Sequence, residues 1–248
     1  MVNILGKRMT AVGTGENKKK RILIKVIVAV ISFALLCLIF YMILAGSKGK
    51  DVTVYFVRHG QTDTNVSMIL VGCETDAHLT EEGRRQCEET GEKLSEVKFD
   101  RAYASLLSRT QDTANIVLSK NHNTTPEVSV NPLLNDTNWG DAAGLTIDEA
   151  SAKYPGFSED NYLGTIDDVN FVSPIHATTK ATKVADYTKA LSEIVNDAKD
   201  GDNILVAGHS TFVWLLQKYF PESFNSESSL KNASVTVLKY HDGKWELK

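Results

Sequence analysis

The sequence predicts an α/β fold, a three-layer sandwich with a mostly parallel central sheet flanked by helices, preceded by one transmembrane helix. Three observations predict it. β-rich apolar runs alternate with helical stretches from residue 51 onward, an uncharged apolar run of 19 residues precedes them, and chemically unusual residues stand directly after three of the expected strands. Strands alternating with helices build a sheet that is covered on both faces.

The apolar run is Val26–Leu44. As a helix it would reach about 28 Å at ~1.5 Å per residue, close to the hydrocarbon thickness of a bilayer. A core helix of that length would show a polar face. A cleaved signal peptide would have a shorter apolar region, and cleavage after Ala45 would leave Ile43 where a small residue is preferred. Lys18, Lys19, Lys20, Arg21 and Lys25 precede the run, and only Lys48 and Lys50 follow it closely. The positive-inside rule therefore puts residues 1–25 in the cytoplasm as a basic tail, 26–45 in the membrane as a signal-anchor, 46–50 as a linker, and 51–248 outside the cell as one domain.

Within that domain Val52–Val57 reads as a buried strand. Leu79–Val97 reads as a helix capped by Thr80, with Leu79, Gly83, Cys87, Gly91 and Leu94 on its inner face. Asp100–Ala104 is a short strand, and Ser105 is placed to cap a helix running through Leu118. Glu127–Val130 is a strand, Ala177–Ala198 a long helix, Asn203–Ala207 a buried strand, and Thr211–Phe220 a helix. Ser234–Tyr240 is the last strand. Residues 141–175 show no clear periodicity and read as an irregular excursion over one edge.

Composition removes several classes of function. Residues 1–50 hold nine Lys/Arg and one Glu of chain totals of 27 and 31, which leaves 18 basic and 30 acidic residues in 51–248. So acidic a domain does not offer a general nucleic-acid surface. Three cysteines make no disulfide framework. Cys37 lies in the apolar run, and Cys87 fits the buried helix stripe, so free thiols are expected at Cys73 and Cys87. No Cys/His cluster has zinc spacing, and neither metal nor cofactor is implied.

The first strand runs into Arg58-His59-Gly60, the strand at 100–104 into Ser105…Arg109, and the strand at 203–207 into Gly208-His209-Ser210. Open α/β sheets bind ligands at the carboxyl ends of their strands. Two His and two Arg delivered there would form a cationic pocket, and helix N-termini after Ser105 and His209 would add N–H donors for an anion. The implied ligand is phosphate.

These motifs carry a family resemblance. Arg58-His59-Gly60-Gln61-Thr62 with Asn65 resembles the signature of the histidine phosphatase superfamily. Gly72…Asp76…Leu79-Thr80…Gly83…Gln86 is similar to the next segment of the phosphoglycerate mutase-like branch. Ser105…Leu107…Arg109…Thr113-Ala114, Leu134-Asn135-Asp136 and Ala207-Gly208-His209-Ser210 resemble later motifs, in the family's order. The resemblance implies a phosphoric monoester hydrolase with His59 as nucleophile; the alternatives are a phosphoglycerate mutase-type phosphoryl transfer and a non-catalytic surface protein that retains the anion pocket. It implies Arg58, Arg109, His209 and Asn65 as phosphate-binding residues, and Asp136 as the acid that protonates the leaving oxygen. The branch usually has Glu at that position, so Asp141 is a second candidate. His78 stands near the entrance. Thr137-Asn138 replaces the Arg and Tyr-Gly that continue the motif in the mutases. The substrate would be a small-molecule phosphate ester or a phosphoprotein. Its identity would be set by 61–78 and 141–175, which hold few cations.

Overall fold

The structure, a computed structural model, describes residues 49–164, 170–219 and 231–247. Val26–Leu44 lies outside the described residues. Among the described residues no helix is long and apolar enough to cross a membrane.

The elements in chain order are β1 (Val52–Arg58), α1 (Asp63–Val66), α2 (Glu81–Lys93), β2 (Arg101–Ala104), α3 (Ser108–Ser119), β3 (Val128–Val130), α4 (Ile147–Lys153), α5 (Glu159–Leu163), α6 (Lys180–Asp197), β4 (Asn203–Gly208), α7 (Ser210–Tyr219), β5 (Val235–His241) and β6 (Lys244–Leu247). The sheet order is β3-β2-β4-β1-β5-β6. The first four of these strands run parallel, and β5 and β6 form an antiparallel margin.

Burial on both faces explains the central strands. In β4, Ile204 and Val206 join Val52, Val54 and Phe56 of β1 in a core closed by Ile194 of α6 and Phe212 of α7. Leu205 and Ala207 face the other way, where Val57, Ala114 and Val117 of α3, and Phe99 form a second core. A strand buried on both faces reads as a continuous apolar run, as 204–207 does. The three predicted layers are therefore present, and Gly83, Cys87, Gly91 and Leu94 are all buried as their spacing predicts. Cys73 and Cys87 are free.

Four local expectations need correction. The helix predicted for 79–97 stops at Lys93, with Leu94 as its C-cap. Helix α3 begins at Ser108 with Leu107 at the cap position and no side-chain cap from its own residues. Ser105 does not cap it; the Asp76 carboxylate instead accepts from the Ser108 N–H at 2.9 Å. The last strand continues through a turn into β6, because Asp242 (φ 47°) and Gly243 (φ 81°) adopt the left-handed pair that a two-residue hairpin requires. Finally, 141–175 is not irregular throughout. Thr146 and Glu149 form a capping box that starts α4, and Ser158 caps α5. Ala142, Ala150, Tyr162, Leu163 and Ile175 make a small core of their own.

The chain after β1 crosses α2 at a contact that only glycine permits. A Cβ on Gly83 would stand 2.1 Å from the Gln61 carbonyl oxygen, and one on Gly60 would stand 2.4 Å from that of Gly83. An unobstructed Gly→Ala in a helix gains about 1 kcal/mol, but Gly83→Ala is expected to lose about 1–3 kcal/mol by overpacking. Urea unfolding tests the sign: a raised midpoint would show that the crossing opens freely.

Candidate active site

Strands β1 and β4 pair in parallel with Arg58 opposite Gly208. The next residue of each strand therefore leaves the sheet at the same level. The His59 N–H donates to the Gly208 carbonyl at 2.9 Å, and the His59 and His209 rings lie 5.4 Å apart between centroids, tilted by 60°. Both residues are buried.

Hydrogen bonds settle the His59 tautomer. Its Nδ1 is 2.8 Å from the Gly60 carbonyl oxygen. A carbonyl only accepts, so Nδ1 carries the proton and Nε2 keeps its lone pair in the neutral ring. Burial lowers the His59 pKa well below its ordinary value, helped by His209, Arg109 and Arg58. The ring is thus a neutral imidazole at pH 7.

His209 is held from the other side. Its Nε2 is 2.9 Å from Ser105 Oγ, and Ser105 Oγ is 2.8 Å from Thr110 Oγ1, which donates to the Leu107 carbonyl at 2.8 Å. Because Thr110 has one proton and gives it to Leu107, Ser105 donates to Thr110 and accepts from His209 Nε2–H. That leaves Nδ1 of His209 buried and without a hydrogen-bond partner within the protein. Its pKa is also pushed well down, by burial first and then by Arg109, Lys183 and Arg58.

Arg109, in the first turn of α3, is 3% exposed. Its Nη2 donates to the Gly72 carbonyl at 2.7 Å, while its buried Nη1 has no partner. Arg58 lines the same cavity, and burial lowers the pKa of both guanidiniums against the raising effect of Asp136. Arg109 Nη1 is thus a buried donor without an acceptor, and His209 Nδ1 a buried lone pair without a donor, both on residues that approach Asp136. The unpartnered Arg109 donor beside a second guanidinium suits an anion, which His209 Nδ1 could hold only after taking up a proton.

Asp136 reaches this space and Asp141 does not. Asp136 Oδ1 accepts from Thr211 Oγ1 at 2.6 Å and from the Thr137 N–H at 2.9 Å. Its Oδ2 stands 3.5 Å from Arg109 Nη2 and 3.6 Å from His209 Nδ1. The shorter side chain suffices because the backbone comes close: Tyr187 Oη donates to the Asn135 carbonyl, and the Leu106 N–H donates to Asn135 Oδ1. Asp141 faces outward and pairs with His176 at 2.9 Å. His78 is exposed beside Ser108 and does not line the cavity.

Asn65 does line it. Its Oδ1 accepts from the Thr62 N–H and from Asn232 Nδ2, which turns Nδ2 into the atom left for a ligand. At the N-terminus of α3 the Ser108 N–H already donates to Asp76 and the Thr110 N–H to the Leu107 carbonyl. Ser210 and Thr211, opening α7, remain on the cavity wall. Sequence reading missed Ser105 and Thr110 as supports of His209, Thr211 as the partner of Asp136, and Trp139 as a wall of the cavity. Ser105 stood in a quoted motif, but no local pattern announces the others.

Arg58, His59, Arg109 and Asp136 line one cavity, with His209 buried directly behind His59, an arrangement that suits an α/β enzyme handling phosphoryl groups. Comparison with known proteins agrees. The profile described as the histidine phosphatase superfamily (branch 1) matches residues 54–248, and the chain belongs to that superfamily, which includes phosphatases and mutases.

A 2,3-bisphosphoglycerate-dependent phosphoglycerate mutase of Bradyrhizobium diazoefficiens is 31% identical over 67% of this chain and 81% of its own length. The mutase of the same description from Bartonella henselae is 39% identical over 41% of this chain, and the match spans half of that relative. The crystal structure of a phosphoglycerate mutase from Bacillus anthracis superposes with a TM-score of 0.68 at 24% identity, covering 82% of this chain and 93% of its own. A mycobacterial glucosyl-3-phosphoglycerate phosphatase complexed with VO3 gives 0.65 at 24% identity, covering 79% and 96%. These structural likenesses establish the fold.

The buried histidines link pH to stability. Above pH 6.5 both rings are neutral in the folded and the unfolded chain. Below it the unfolded chain takes up protons that the folded pocket refuses, so stability is lost as pH falls from 6.5 toward the lowered folded values. Removing one histidine removes its share. The urea midpoint of His209→Asn is expected to fall less steeply between pH 6.5 and 5 than that of the wild type; parallel slopes would show that His209 titrates normally.

Proposed function

We propose that the protein is a phosphomonoesterase working through a phosphohistidine on His59, anchored by Val26–Leu44 with its catalytic domain outside the cell. The observation that carries the chemistry is the His59 ring: neutral, buried, and pinned through Nδ1–H to the Gly60 carbonyl so that Nε2 is the nucleophile. As Nε2 bonds to phosphorus, the P–O bond to the alcohol breaks, and the leaving oxygen takes a proton from the Asp136 carboxylic acid. The Gly60 carbonyl offsets the charge that develops on the ring. In the second half, Asp136 takes a proton from water, the water oxygen attacks phosphorus, and the P–N electron pair returns to Nε2. Arg58, Arg109, His209 and Asn65 hold the equatorial oxygens. Arg109 Nη1 finds there the acceptor it lacks in the free protein, and His209 Nδ1 becomes a donor by taking up a proton with the dianion.

The names of the relatives favour a second reading, phosphoglycerate mutase. Against it, Thr137-Asn138 stands where the mutases continue with Arg and Tyr-Gly. Incubation with 3-phosphoglycerate and its bisphosphate separates the two: a phosphatase releases inorganic phosphate, and net isomerisation would make the mutase reading correct.

Rapid quenching at alkaline pH is expected to trap a phosphoenzyme that survives base and decays in acid, absent from His59→Ala. A strict metal requirement for turnover would overturn this route. Arg109→Ala is expected to lower kcat/KM by two to four orders of magnitude, since a charged contact in a dry site is worth about 3–5 kcal/mol; a loss under tenfold would reduce Arg109 to a tie for Gly72.

Asp136→Asn should cripple turnover of alkyl phosphates, spare phosphoenzyme formation from p-nitrophenyl phosphate, and let that phosphoenzyme accumulate. Equal losses on both substrates would make Asp136 a positioning group. For the anchor, protease added to intact cells should remove the domain and leave a short N-terminal stub. Loss only after lysis would reverse the orientation, and a mature protein starting near Gly46 would replace the anchor with a signal peptide.

A further inference from the structure

The cavity of about 240 Å³ has two chemically different parts. Its floor holds Arg58, His59, Arg109 and Asp136. Its outer wall includes Met68, Ile69, Leu70, Val71, Trp139 and Ile147, and Thr62, Thr64, Asn65, Ser210 and Thr211 give the cavity polar lining elsewhere. Met68 and Ile147 are exposed there, at 59% and 42%, although large apolar side chains normally hide.

This wall is built rather than incidental. The Leu70 N–H donates to the Leu145 carbonyl at 2.8 Å, the Gly144 N–H to the Leu70 carbonyl at 2.9 Å, and the Ile147 N–H to the Met68 carbonyl at 3.3 Å. Ile69 bridges to Thr146. Met68 adopts φ 55° to make the bend, a conformation that costs a non-glycine residue energy and persists only where the surroundings impose it. At its far end the wall meets the floor, through the Gly72 carbonyl on Arg109.

Charge narrows the choice of occupant. Arg58 and Arg109 are the cations among the lining residues, and both belong to the floor. Lys183 is turned to Asp186 at 3.1 Å and lies over the Tyr187 ring, and His176 pairs with Asp141. A second phosphate or a carboxylate on the substrate would meet an apolar wall, with no cation among the described lining residues beyond the two that hold the transferring phosphate.

The geometry points to a phosphate monoester of an uncharged apolar alcohol, alkyl or aryl, as the substrate class, with Met68, Ile69, Trp139 and Ile147 as the residues that select it. This rests on the phosphatase reading for the chemistry, but the wall itself is open to a binding test. Alkylphosphonates cannot be hydrolysed and report the wall alone. Titration calorimetry of the full-length protein should show Kd falling about fourfold per added methylene from methyl- to butylphosphonate, the factor set by ~0.8 kcal/mol per buried CH₂. 3-Phosphonopropionate should bind at least tenfold more weakly than propylphosphonate. Ile147→Lys, or Met68→Lys should the first variant fold poorly, should flatten the chain-length series and reverse the preference for the uncharged ligand.

A Kd independent of chain length, or tighter binding of the carboxylated ligand by the wild type, would overturn the inference. Hydrolysis of p-nitrophenyl phosphate distinguishes the two levels. Absence of a phosphoenzyme with a steep phosphonate series sinks the phosphatase reading and leaves the wall's selectivity standing; a phosphoenzyme with a flat series does the reverse.

Discussion

The parallel pairing of β1 with β4 is the constraint on which the rest depends. With Arg58 opposite Gly208, the two chains leave the sheet together, and their next residues are both histidine. A slip of one residue would reverse the face of every side chain on β4. It would send Leu205 and Ala207 into the core that Ile204 and Val206 now fill, and those two into the other. The register that fills the two cores is thus the register that brings His59 beside His209, so the energetics of packing and the geometry of the site are one requirement.

Around that pair the protein arranges charge that it does not itself neutralise. Burial and the two arginines keep both imidazoles uncharged. Asp136, 3.5 Å from Arg109, is the one acidic residue among the described lining residues, beside two guanidiniums. The free pocket is therefore short of negative charge, and two of its buried nitrogens have no partner. A phosphate dianion would supply the charge and an acceptor for Arg109 Nη1, and, with a proton taken up on His209 Nδ1, an acceptor for that nitrogen too. The same lowered histidine pKa values that are expected to weaken the folded state in acid would leave the site ready for an anion.

The two ends of the cavity are held by different devices. The floor is fixed by strand ends and by a hydrogen-bonded chain from Leu107 through Thr110 and Ser105 to His209. The apolar wall is fixed by edge pairing between 68–70 and 144–147, backed by the small core of Ala142, Ala150, Tyr162, Leu163 and Ile175. The excursion between β3 and α6 supplies Trp139 and Ile147 to that wall, on a support separate from that of the floor.

Much of this was legible in the sequence. Alternating apolar runs marked β1, β2, β4 and β5, because side-chain periodicity is a local property of the backbone. The residues after those runs marked His59, Arg109 and His209, because ligands gather at strand ends. The Thr146/Glu149 capping box and the Asp242-Gly243 turn were equally local signals, passed over where periodicity was weak. What only the tertiary structure decided were relations between residues far apart in the chain. That Asp136 and not Asp141 lines the cavity rests on Thr211 and on the backbone held by Tyr187. The tautomers of the histidines depend on Gly60 and Ser105. The outer cavity is apolar because 68–70 pairs with 144–147. Local pattern sets what each segment can become, whereas a proton's position or a pocket's wall is set by which segments meet, and that is decided by the packing of the whole sheet.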